Sequence, residues 1–273
     1  MQLSAREQLV IKFMIITLAL IFFIFGLIIG SFLNVVIIRF NTQRSFGGRS
    51  GCMSCKNTLS WYELIPVFSF LFLRGRCKNC KARISIQYPI VEFLSGLIFA
   101  LLFLKFQDVF FYGQTFVFSL TYAYYATAFS LLLVIAVYDI KHKIIPDVLS
   151  LSLGIFSFLG LFLFNSAGFY PHVPSILELS SGLIIATPFA FFWLVSKGRW
   201  MGLGDAKLAI GLGWLLGLSR ALSGLVLAFW IGAVIGLVLI IFSKKHGMKS
   251  EIPFAPFLVL GTLLAFLFEL HIF

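Results

Sequence analysis

Long runs of apolar residues, nearly free of charge, recur from one end of this chain to the other. A backbone inside hydrocarbon must satisfy every N–H and C=O within the protein, which leaves only helices and closed barrels as spanning elements. No alternation of apolar and polar residues runs through these segments, so helices are the expectation. Requiring about 17–25 apolar residues per crossing places candidate spans near 10–38, 88–104, 115–138, 147–164, 178–196, 206–219, 222–242 and 254–272. The expected fold is an all-α polytopic membrane protein of about eight transmembrane helices. The first run is longer than the roughly 7–15 residues of a secretory h-region, and it reads as a first span.

Composition agrees. With 60% hydrophobic and 11% charged residues, against about 25% charged in soluble domains, the chain cannot cover itself with polar surface. The 34 phenylalanines suit a lipid-facing surface, and the 23 glycines allow helices to approach closely where water supplies no driving force.

A net charge of +11 would suggest nucleic acid in a soluble protein, but here the cations lie in loops between spans, where they set orientation. No basic stripe alternates with aromatics on a polar domain, so no nucleic-acid partner is expected. Placing the long polar loop in the cytoplasm puts seventeen of the 21 lysines and arginines on that side, leaving Arg6, Lys12, Lys105 and Arg220 outside. The bias predicts both termini outside and the loop inside. The resulting division is 1–38 for the first transmembrane helix, 39–87 for a small cytoplasmic domain between helices 1 and 2, and 88–273 for a transmembrane core.

All four cysteines fall in the 39–87 loop, as Cys52/Cys55 and Cys77/Cys80, with twenty-one residues between the pairs. The two-residue spacing lets both thiolates of a knuckle reach one ion, and four thiolates make a closed tetrahedral structural zinc site. Gly51 and Gly75, each just before a pair, suit tight turns, and Arg76, Lys78 and Lys81 favour thiolates. Disulfides or a redox pair are the alternatives, disfavoured on the cytoplasmic side, where thiols stay reduced. A loop this small has too little core to order itself, so the ion should matter for folding.

Asp139, Asp147 and Asp205 lie at the edges of later apolar segments, where an ionisable group is expensive and is a functional-site hypothesis by default. Asp147, after Pro146, also suits the first turn of the next helix. Asp139 has no such explanation, because an acid at a helix C-terminus opposes the dipole, unless Lys141, His142 and Lys143 compensate it. In the turn G-L-G-D, Gly202 and Gly204 free the backbone beside Asp205 so that another segment can approach closely. Two acids facing each other push one pKa up, leaving one acid and one base near neutral pH. Such a pair activates water and protonates a leaving amine without a metal. Lys207 either stabilises an ionised carboxylate or snorkels to the interface, and Glu92 either pairs with a loop cation or lines the site.

These residues resemble the prepilin peptidases, the type IV leader peptidases of pilus assembly and type II secretion. The resemblance runs nearly end to end: G-S-F-L-N-V-V-I-I-R at 30–39, both cysteine pairs, W-Y-E-L-I-P-V-F-S-F at 61–70, R-G-R-C at 74–77, Y-P-I-V-E at 88–92, D-I-K-H-K-I-I-P-D at 139–147, G-L-G-D-A-K-L at 202–208 and P-F-A-P-F at 253–257. Asn41 stands where relatives often have proline after the arginine. The resemblance implies a GxGD-type aspartic protease of the bacterial inner membrane, with Asp139 and Asp205 as its catalytic pair. It implies cleavage of a short basic leader from prepilin or pseudopilin substrates just after a glycine, at the cytoplasmic face. In many members N-methylation of the new N-terminus follows, with S-adenosylmethionine as donor. The cysteine-bearing domain goes with that second activity, and Gly75 is a candidate for close backbone approach to the donor or the substrate amine. Two other readings compete. A transporter with an acidic ion relay predicts acids near the bilayer midplane, and a non-catalytic assembly scaffold predicts that neither Asp139 nor Asp205 is needed.

Overall fold

The computed structural model describes residues 5–42, 45, 47–165, 168–242 and 252–271. Contacts divide the chain into two compact units, Met1–Gly113 and Gln114–Phe273.

In the first unit, helix α1 (Ala5–Arg39) leads into the polar loop, which holds a 3-10 turn (Trp61–Leu64) and the one-turn helix α2 (Phe68–Phe72) and returns into α3 (Gln87–Phe111). Helices α1 and α3 pack together through small residues. A Cβ on Gly26 would fall 2.8 Å from the Cα of Gly96, and one on Gly30 would fall 2.7 Å from the Cα of Glu92. The spacing Gly26-x-x-x-Gly30 puts both glycines on one face, the usual means of bringing apolar helices together in lipid. At the loop end, the Nδ2 of buried Asn34 donates to the Tyr88 carbonyl at 3.0 Å, fixing the exit of α1 against the start of α3.

The second unit comprises α4 (Thr115–His142), α5 (Asp147–Gly160), a two-residue antiparallel pair β1 (Phe164–Asn165) and β2 (Gly168–Phe169), α6 (Ile176–Ser196), α7 (Leu203–Leu216), α8 (Leu218–Phe242) and α9 (Ala255–Leu267). Its helix ends are written locally. Ser175 and Glu178 form a capping box at the start of α6, and Lys143 and Lys197 stop α4 and α6 in the left-handed region. Gly217, with φ of 76°, breaks what would otherwise be one apolar run into α7 and α8.

Helices α6 and α7 pack closely because Gly182 faces Gly213, while the Ser181 hydroxyl donates to the Gly213 carbonyl at 3.0 Å and the Trp214 indole to the Leu179 carbonyl at 2.9 Å. Helices α8 and α9 meet backbone to backbone at Gly224 and Gly261. Phe266 of α9 lies against Tyr125 and Phe129 of α4, with ring centroids 4.4 and 5.3 Å apart.

Every segment expected to span contains a helix, but the expected count of eight crossings is corrected. Among the described residues five helices, α1, α3, α4, α6 and α8, are long and apolar enough to cross a membrane. Helices α5, α7 and α9 have 14, 14 and 13 residues. At about 1.5 Å per residue each spans roughly 20 Å, against a hydrocarbon core of about 30 Å. Apolar windows in the sequence merged these helices with the apolar turns beside them, as at 161–163 and at Gly217. The loop cations Arg44, Lys244, Lys245 and Lys249, used to orient the chain, lie outside the described residues.

The glycine contacts give a paired test. At Gly213 an added Cβ would fall 2.6 Å from the Cα of Gly182, whereas at Gly154 in α5 it would meet nothing within 4 Å. Gly213→Ala is expected to destabilise the protein by about 1–3 kcal/mol, and Gly154→Ala to be neutral or stabilising by about 0.5–1 kcal/mol, as read by thermal unfolding in detergent.

Candidate active site and metal centre

The four cysteine sulfurs lie within 4.8 Å of one another. All four are free thiols, and Cys52 Sγ stands 3.7 Å from Cys80 Sγ. A disulfide would bring two sulfurs to about 2.05 Å, whereas bonds of about 2.3 Å in a tetrahedron set sulfurs about 3.8 Å apart. The spacing is that of ligands around one ion.

Both knuckles are built the same way. The Lys56 N–H donates to the Cys52 carbonyl at 2.9 Å and the Cys52 N–H to the Asn57 carbonyl at 2.9 Å; Lys81, Cys77 and Ala82 repeat the pattern at 3.1 and 2.9 Å. The chain reverses at Lys56 and Lys81, with φ of 57° and 60°. Gly75 is left-handed as expected, with φ of 65°, but Gly51 is paired with Thr58 in an extended bridge and supplies no turn. Backbone N–H groups of Cys55 and Ser54 hold the Cys52 thiol down at about 6. Cys55 receives a backbone hydrogen bond from Asn57, yet burial and the neighbouring sulfurs push it up to about 11. Sulfurs this close cannot all ionise without a cation among them.

Glu92 links the loop to its helices. It is buried in α3, and its carboxylate accepts the Val67 N–H at 2.7 Å and a hydrogen bond from the Ser31 side chain of α1. Val67 has φ of 61°, a rare conformation for a β-branched residue that typically costs about 1–3 kcal/mol. Glu92 therefore holds a strained entry to α2 against α1 and α3. It pairs with a loop backbone group, where the expectation had been either a loop cation or a place lining the site.

In the second unit the structure brings Asp139 and Asp205 together. Asp139, in the last turn of α4, is 5% exposed, and Asp205, in the first turn of α7, is 9% exposed. The two carboxyls lie within electrostatic reach of one another. Asp139 Oδ2 accepts the Ala255 N–H at 3.2 Å from the first turn of α9. The N-terminal dipole of α9 thus faces an acid that would otherwise suffer only the unfavourable end of α4. Lys141, His142 and Lys143 are exposed, and His142 stacks on Tyr138 at 4.4 Å. Asp205 takes a backbone hydrogen bond from Gly202.

Neither glycine of the turn has a left-handed backbone, so their value is space. A Cβ on Gly204 would fall 3.0 Å from the Cβ of Ile145, and one on Gly202 would fall 3.7 Å from Asp205 Oδ2. Gly204 lets the segment after α4 close onto α7, and Gly202 keeps a side chain from resting directly against the Asp205 carboxyl. Lys207 does not join the acids: its ammonium lies 2.7 Å from Asp147 Oδ1, an exposed pair between α7 and α5. Asp147 opens α5 after Pro146.

Sequence reasoning gave no role to Ala255, Ile145 or Val67. The P-F-A-P-F segment carried a usable signal, since Pro256 falls in the first turn of α9, where proline marks a helix start.

Two measurements check these assignments. Glu92→Ala leaves the Val67 N–H without its acceptor and is expected to cost about 1–3 kcal/mol, while Glu92→Gln keeps an acceptor and costs less; thermal unfolding separates them. In chelator-treated protein, alkylation of Cys52 should be fast at neutral pH and fall away below about 6, because its depressed pKa keeps the thiolate until then. Retention of metal should protect all four thiols.

Comparison with known proteins agrees with this geometry. Residues 24–106 match the Bacterial Peptidase A24 N-terminal domain, and residues 126–241 match the Type IV leader peptidase family. A Prepilin leader peptidase/N-methyltransferase of Myxococcus xanthus (strain DK1622) is 34% identical over 236 residues, covering 85% of this chain and 66% of that protein. Proteins of the same description from Aeromonas salmonicida (strain A449) and Bacillus subtilis (strain 168) are each 31% identical, covering 90% and 91% of this chain and 89% and 93% of their own lengths. No solved structure matches the chain. With matches that run through both units, the chain belongs to the type IV leader peptidase family.

Proposed function

We propose that Asp139 and Asp205 are the catalytic pair of a prepilin leader peptidase, cleaving prepilin or pseudopilin substrates after a glycine at the cytoplasmic face of the bacterial inner membrane. The observation that carries this reading is the burial of two carboxyls within reach of each other, with no lysine or arginine in an ion pair with either among the described residues. One carboxylate takes a proton from water, and the resulting hydroxyl adds to the carbonyl carbon of the glycine. The other, as carboxylic acid, protonates the amide nitrogen, the C–N bond breaks, and an acid and an amine leave. Proton exchange with solvent restores the starting pair. Gly202 keeps the approach to Asp205 open, and the α9 N-terminus holds Asp139 in place.

The metal in the cysteine loop is proposed to be zinc, on the donor set and spacing: four thiolates leave no open position, so the ion orders the loop and takes no part in cleavage. The positive-inside count supports a cytoplasmic loop. The family reading brings N-methylation of the new amino terminus, for which S-adenosylmethionine would supply the methyl group. Its amino and sulfonium cations do not fit the concavity beside the second knuckle, whose side chains are basic or apolar apart from the Cys77 thiol, and no step through the donor is derived.

Asp139→Asn and Asp205→Asn keep the buried shapes, and the amide oxygen introduced by Asp139→Asn still accepts the Ala255 N–H. Each variant is expected to lower cleavage of a prepilin by about a thousandfold or more while leaving thermal unfolding in place, with mass spectrometry reading the product N-terminus. Full cleavage by either variant would remove that residue from the mechanism.

A further inference from the structure

Beside the second cysteine knuckle lies an open concavity of about 570 Å³ that the acid pair does not use. Arg74, Arg76, Lys78 and Lys81 all line it, and no carboxylate does. The left-handed turn at Arg74 and Gly75, with φ of 52° and 65°, reverses the chain between α2 and the knuckle, so cations from both sides of the turn reach one space. Among the described residues none of the four has an ion pair. Glu63, on the same loop, accepts the Ser60 N–H at 2.8 Å and lies within electrostatic reach of Lys78 without forming an ion pair with it. Lys78 donates to the Tyr62 hydroxyl at 2.8 Å and lies 5.1 Å from its ring centroid.

Two apolar side chains, Phe72 and Leu73, line the concavity beside the cations. Phe72 is 84% exposed, and Leu71 and Trp61 of the same loop are 63% and 78% exposed. Large apolar side chains beside unpaired cations are the arrangement of a surface that rests at the headgroup level of a bilayer, aromatic rings inward and ammonium or guanidinium groups on phosphate. A small free anion would need neither the rings nor a space of this size.

We propose that the concavity binds the headgroup of an anionic phospholipid, with Arg74, Arg76, Lys78 and Lys81 on the phosphate and Phe72 against the lipid, so that the metal loop is anchored to the membrane surface. The proposal is independent of the peptidase reading.

The test uses the full chain, purified and delipidated in detergent, with equimolar phosphatidylglycerol and phosphatidylcholine added and bound lipid read by native mass spectrometry. Wild type should retain phosphatidylglycerol preferentially. The variant Arg74→Gln, Arg76→Gln, Lys78→Gln, Lys81→Gln should lose that preference by about tenfold while keeping its metal. Neutralising Arg6, Lys12, Lys141 and Lys143 should leave the preference in place. If the fourfold variant loses its metal, Arg74→Gln with Lys81→Gln takes its place and should show a partial loss. Unchanged retention in either loop variant with metal bound would overturn the proposal. Displacement of the lipid by an equal concentration of inorganic phosphate would also overturn it, assigning the site to a free anion.

Discussion

Two buried carboxyls, with no ion-paired cation among the described residues, set the terms for the second unit. An ionised carboxylate taken from water into an apolar helix bundle costs several kcal/mol unless donors replace its hydration. Here the donors are backbone N–H groups: Ala255 at the start of α9 serves Asp139, and Gly202 at the start of α7 serves Asp205. Those donors exist only because α7 and α9 begin beside the acids. At the start of α7 Gly204 lies against Ile145, and further along the helices Gly182 meets Gly213 on α7 and Gly224 meets Gly261 on α9.

The first unit solves a different problem, ordering a polar loop that lacks a core. A cluster of four thiols able to hold one metal ion lies within the loop, and Glu92 orders it from the helices by holding Val67 in a conformation the residue would not choose alone. The tight packing of α1 on α3 through Gly26, Gly30 and Gly96 gives Glu92 its rigid support. The thiol cluster, the buried acid and the helix pair form one chain of dependence, and loss of any link should loosen the loop.

Much of this was legible in the sequence. The helices followed from apolar length, the thiol cluster from two C-x-x-C pairs, and the candidates Asp139, Asp147 and Asp205 from charge placed at the edges of apolar runs, because each rests on composition or short-range spacing; the choice of Asp139 and Asp205 as the pair came from the family resemblance. What was not legible depends on contacts distant in sequence. Nothing local said that Lys207 would pair with Asp147, or that the Asp139 carboxyl would meet a helix start 116 residues away. The short helices were missed because an apolar residue in a turn reads the same as one in a helix, and only the left-handed Gly217 and the strand pair after α5 mark where helix stops. Likewise Lys56 and Lys81 carry the left-handed turns of the knuckles although lysine has no special preference for them; the repeat C-x-x-C-K was the available signal.

The most direct measurement of the paired acids is the rate of prepilin cleavage across pH under single-turnover conditions. Two coupled carboxyls acting as base and acid give a bell-shaped profile whose two limbs belong to the pair. A bell is expected in wild type. A flat profile, or one with a single limb, would contradict catalysis by Asp139 and Asp205 together.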